Sequence, residues 1–105
     1  MSEKLIQTLR SNTKEAVPNA IETLKDYLRF PTISAQNKAI PETVKFVVKQ
    51  IQETGGNAMV LDDLGGNPVV YGYFAAGSNG DSTKTLLFYN HYDVQPPEPL
   101  NEWNS

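Results

Sequence analysis

His91 is the only histidine in the chain, and it stands two residues before Asp93 in the run Asn90-His91-Tyr92-Asp93. A neutral imidazole is the commonest protein ligand for zinc, and a neighbouring carboxylate can orient its ring or support the same ion. Side chains alternate along extended backbone, so the two are predicted to share one side, about 6–7 Å apart along the chain. The chemistry this pair points to is metal ligation by His91 with Asp93 behind it. A complete site needs three or four ligands, and the sequence offers one imidazole and no thiolate. The remaining acidic candidates, Asp62, Asp63 and Glu98, stand in turn-like sequence, where carboxylates are more often simply solvated. For His91 the plainer alternative stays open: a lone histidine at a strand end, bonded to backbone and nothing more.

The elements that must position this pair follow from periodicity. Leu86-Leu87-Phe88-Tyr89 is an apolar run fit for a strand buried on both faces, and the predicted strand covers 83–90. Pro96, Pro97 and Pro99 cannot continue a ladder, so His91 falls where a strand runs out into a loop. In α/β proteins, strand ends of this kind collect ligands and chemistry. Upstream, Leu5, Ile6, Leu9 and Ala16 form a helical stripe. Pro18 then either starts a second helix or kinks one long helix, which Ala20, Ile21, Leu24, Tyr27 and Leu28 continue. Pro31 restricts Phe30 and ends it. The segment 30–34 reads as a connecting loop, and 35–38 as a mobile polar stretch. Pro41 and Glu42 open the clearest helix, with Ile40, Val44, Val47, Val48 and Ile51 on one face and Gly55-Gly56 at its stop.

After that stop the period changes from helix to strand. Two short strands are predicted, over 57–62 and 69–75, joined by a turn at 64–68, with Gly72 marking a bulge or a close backbone approach. The connections are too short for a crossover helix, so neighbouring strands run antiparallel and the first and third strands lie parallel. The expected fold class is therefore α/β, with N-terminal helices packed on a mixed sheet. Three strands and two or three helices do not cover a strand that is apolar on both faces. The reading is that residues 1–105 are the front portion of a larger domain.

Composition limits the alternatives. The 105 residues carry nine basic and twelve acidic side chains, a net charge of −3, without a basic patch. Nucleic acid and anionic membranes are therefore not expected as partners. No apolar run reaches membrane-spanning length, and the polar opening lacks the apolar core of a signal peptide. With no cysteine there is no disulfide framework, and the cytoplasm is the expected location. Gly65-Gly66-Asn67-Pro68 lacks the Lys-Ser/Thr ending of a phosphate loop. Ser34, Ser78 and Ser82 have no nucleophile-elbow pattern around them. The aromatics Tyr71, Tyr73, Phe74, Phe88, Tyr89 and Tyr92 stand at strand spacing, which more often means packing than base stacking.

Leu86–Pro96, LLFYNHYDVQP, followed by Glu98-Pro99-Leu100 and Trp103, closely resembles the first metal-binding motif of the di-zinc metallopeptidases. That family includes aminoacylase, carnosine dipeptidase, glutamate carboxypeptidases, acetylornithine deacetylase and succinyl-diaminopimelate desuccinylase. The His-Tyr-Asp-Val-Gln-Pro wording looks most like the dipeptidase branch. The upstream order also fits, with a helix ending in Leu28-Arg29-Phe30-Pro31-Thr32-Ile33-Ser34, then an amphipathic helix, then two strands. Asn90 departs from the pattern, since many members carry glycine there. The likeness spans essentially the whole chain but only the opening of such an enzyme.

The resemblance implies a partial zinc-exopeptidase-like α/β/α catalytic domain, with the lid domain through which members dimerise absent. It makes His91 a zinc ligand and Asp93 the catalytic-site carboxylate that supports the metal geometry. The bridging aspartate, the glutamate general base, its partner and the later ligands would follow Ser105. In the complete enzyme two zinc ions, or cobalt or manganese in their place, would serve hydrolysis of a peptide or an N-acyl amino acid. The expectation for the 105 residues alone is an inactive piece that binds no metal tightly. The competing expectation is a non-catalytic module, binding or self-associating through an open sheet edge.

Overall fold

The structure is a computed structural model in which residues 2–104 are described. It falls into two units that divide between Phe30 and Pro31. The first is one continuous helix, α1 (Glu3–Leu28). Ser2 caps it by accepting the Leu5 amide at 3.3 Å, Glu3 sits in the first turn and Lys25 in the last, each matching the helix dipole. Pro18 lies within the helix, so of the two readings of that proline the single helix is the one observed. Its missing N–H removes one backbone bond without ending the helix. Lys25 pairs with Glu22 and Arg29 with Asp26, both exposed, and such pairs add little.

The second unit is built on α2 (Ile40–Glu53) and an antiparallel pair, β1 (Asn57–Leu61) and β2 (Val69–Tyr73). Pro41 occupies the first turn of α2, where its absent N–H costs nothing. At the other end the Gly56 amide reaches the Ile51 carbonyl at 2.8 Å and the Gly55 amide the Gln52 carbonyl at 3.0 Å. With Gly55 at φ +91°, this is a Schellman stop, and the glycine pair is what permits it. The chain turns directly into β1.

Register pairs Ala58 with Gly72 and Val60 with Val70, without a bulge. A Cβ at Gly72 would stand 3.0 Å from the Ile51 side chain, so the glycine lets α2 lie close on the hairpin. The opposite face carries Met59, Leu61, Val69, Tyr71 and Tyr73, all at least a third exposed. The core is small and sits at the start of α2, where Ile33, Ile40 and Val44 are buried together with Thr32 and Thr43.

Three expectations are corrected. The predicted third strand over 83–90 does not form; from Lys84 onward the chain is irregular until a short 3-10 turn at Leu100–Glu102. The described sheet is accordingly two-stranded and antiparallel, not mixed, and has no parallel first and third strands. The physical reason is that a strand exists only through its ladder, and no described strand pairs with these residues. Finally, residues 34–36 form a 3-10 turn, Ser34–Gln36, inside the stretch read as loop.

Candidate functional site

The site is assembled where residues 91–94 cross the segment that precedes α2. Thr32 is the anchor. Its carbonyl accepts the Val94 amide at 2.8 Å, and its hydroxyl meets that of Thr43 inside the core. Thr43 Oγ1 donates to the Ala39 carbonyl at 2.7 Å, so its proton is committed there. The proton between the two hydroxyls must then come from Thr32. This buried chain fixes the segment 31–34 against α2 and, through Val94, fixes the backbone beyond His91. On the other side, Tyr92 donates its hydroxyl to the Pro68 carbonyl at 2.6 Å, tying the same segment to the turn before β2.

Between those two ties stand His91 and Asp93. The Nδ1 atom of His91 lies 2.9 Å from the Asp93 carbonyl oxygen and 3.1 Å from Asp93 Oδ1. Both partners are acceptors, so Nδ1 carries the ring proton when the imidazole is neutral, and the lone pair is on Nε2. Among the described residues Nε2 has no hydrogen-bond partner, and the side chain is 76% exposed. Asp93 is turned to meet two donors, since its other oxygen, Oδ2, accepts the hydroxyl of Ser34. That hydroxyl, assisted by His91, holds the carboxyl below the usual carboxylate range; its partial burial pulls the other way and does not win.

His91, Asp93 and Ser34 line one cleft of about 460 Å³ together with Ile40, Tyr71 and Phe88. Its lining mixes apolar and aromatic side chains with a smaller number of polar ones, which is the usual composition of a small-ligand site. The structure thus brings His91 and Asp93 together. Asp62, Asp63 and Glu98 do not join them; no group of three metal-donor side chains occurs among the described residues. A metal fits Nε2 of His91 as one ligand, since its tautomer is the competent one and a carboxylate backs the ring. Sequence reasoning missed Ser34. It lies 59 positions from Asp93, and no local pattern in a polar loop marks a hydroxyl whose partner is so distant.

Comparison with known proteins gives the site its context. The chain is similar to the Cys-Gly metallodipeptidase of Candida albicans, 30% identical over 98% of this chain and 24% of that protein. It is also similar to the Cys-Gly metallodipeptidase of Schizosaccharomyces pombe, 28% identical over 98% of this chain and 23% of the relative. A probable di- and tripeptidase of Saccharomyces cerevisiae is 29% identical over 81% of this chain and 11% of its own length. The chain spans about a quarter of the length of the Cys-Gly metallodipeptidases it matches. No family model matches it, and no solved structure does. At this level the relationship is to metal-dependent peptide hydrolases. Among the described residues no helix is long and apolar enough to cross a membrane.

Proposed function

We propose that this chain is the opening portion of the catalytic domain of a zinc-dependent amide hydrolase of dipeptidase or deacylase type. His91 is one metal ligand and Asp93 the carboxylate that sets its ring. The observation that carries this is the Nδ1 contact pair, which leaves the lone pair on an exposed Nε2 that has no partner among the described residues. Similarity to metallodipeptidases supports it independently. No group of three metal-donor side chains occurs among the described residues, so this reading requires further ligands and a proton-transferring group besides His91 and Asp93.

Zinc is the metal that imidazole and carboxylate donors suit best, and cobalt or manganese accept the same set. Bound at such a site, the ion supplies Lewis acidity toward an amide carbonyl. The chain's own residues do the rest of what can be assigned here. Asp93 keeps the His91 proton on Nδ1. Peptides or N-acyl amino acids are the proposed substrates, and dipeptides are favoured by the named activities of the relatives.

In the complete enzyme, His91→Ala lowers turnover by at least about 100-fold, the upper range found even for groups that only support a metal ligand. Bound metal falls with it. Elemental analysis together with dipeptide hydrolysis rates checks both, and near-normal metal content and turnover would remove His91 from the site.

One observation favours a second reading, a self-associating module. Leu86, Leu87, Phe88 and Tyr89 are each more than 80% exposed, and both edges of the β1–β2 pair are open among the described residues. An exposed apolar segment beside an open edge invites strand addition from a second copy. Light scattering on the 105-residue chain across a concentration series is the check. A monomer throughout rejects the module.

A further inference from the structure

We infer that Ser34 is a positioning residue for His91, holding the Asp93 carboxylate so that the imidazole proton stays on Nδ1. The inference rests on the reading of His91 as a metal ligand, because that is what makes the tautomer matter. The terminal torsion of an aspartate is broad, so a carboxylate held at one point swings freely. Here it is held at both oxygens, with Ser34 on Oδ2 and His91 Nδ1 at 3.1 Å from Oδ1.

Ser34 is itself firmly placed. Ile33 before it is buried, the Ser34 carbonyl accepts the Asn37 amide at 3.0 Å, and Thr32 is pinned both to the core and to Val94. The residue that braces Asp93 is therefore part of a backbone already bonded to the segment it braces. In water a neutral histidine side chain prefers its proton on Nε2, the nitrogen a metal would need bare. The Asp93 carbonyl at 2.9 Å opposes that preference, and the braced carboxylate adds to it. Without Ser34, Oδ1 is released to solvent and only the carbonyl remains. A serine in a polar loop, lacking any nucleophile pattern, thereby acquires a role through its partner's partner.

The test uses the 105-residue chain with 15N in its imidazole, observed by long-range proton–nitrogen correlation at a pH where the ring is neutral. The chain has one histidine, so the signals need no assignment. The expected result is Nδ1–H as the major form in the parent chain and a smaller Nδ1–H share in Ser34→Ala, where only the Asp93 carbonyl still holds it. Ser34→Thr, which keeps the hydroxyl, restores it. If Ser34→Ala does not fold, the Ser34→Thr and Ser34→Val pair gives the same comparison, since they exchange a hydroxyl for a methyl at one shape. An Nδ1–H population unchanged in folded Ser34→Ala, or equal in the Thr and Val variants, overturns the inference. The ligand reading fails separately: a Ser34-dependent tautomer in an enzyme whose metal content ignores His91→Ala supports the brace and rejects the ligand. His91-dependent metal with a tautomer indifferent to Ser34 does the reverse.

Discussion

Two stretches of the second unit carry apolar side chains and meet opposite fates. Ile33 to Val44 encloses the core, with Ile33, Ile40 and Val44 buried and two threonine hydroxyls satisfied between them. Leu86 to Tyr89 is a denser apolar run, yet its side chains stand 81–89% exposed. The difference is not hydrophobicity. The first stretch has a helix to form alone and a hydrogen-bonded segment to close on it. The second needs a ladder partner on each side, and without one its backbone groups are left to solvent. Apolar sequence states a demand for burial; it does not supply the surface that meets it.

The sharpest way to break this comparison is to cut the polar link in the buried stretch. Thr43 is fully buried, and Thr43→Val keeps its shape while removing the hydroxyl that donates to the Ala39 carbonyl and meets the Thr32 hydroxyl. Losing two buried hydrogen bonds costs about 1–3 kcal/mol, so the variant should unfold at visibly lower denaturant. Urea unfolding of the variant against the parent checks this. A variant as stable as the parent would mean that the buried pair does not hold the segment 31–34 in place.

The same contrast shows what was legible in the sequence. Elements whose bonds are local were readable: the Schellman stop at Gly55-Gly56, Pro41 in the first turn of α2, and the short hairpin with its antiparallel sense. The Pro18 ambiguity was real, since a proline suits both a first turn and a tolerated interruption, and local pattern does not separate them. The strand over 83–90 failed because its existence depends on residues elsewhere. At the site, the sequence placed His91 and Asp93 as a spaced pair but not their bonds. The alternation that puts them on one side says nothing of the Asp93 carbonyl, which is as close to Nδ1 as its carboxylate. Nor could it show Ser34 or the Tyr92–Pro68 tie, each made across many positions by loops that carry no period.

The smallest effect on folding is expected in the denser apolar run. Leu87 is 88% exposed, so Leu87→Lys removes little buried surface and should change the unfolding free energy of the monomer by no more than about 0.5 kcal/mol. A lysine in an exposed strand blocks edge-to-edge pairing, because the incoming chain must desolvate its charge. The variant should therefore shift the chain toward monomer in light scattering while leaving its urea midpoint at low concentration unchanged. Together these outcomes separate two kinds of apolar residue, those the second unit stands on and those it holds for a neighbour. A Leu87→Lys variant destabilised as much as Thr43→Val would mean that the run is already packed within a single copy, and the contrast between the two stretches would fall.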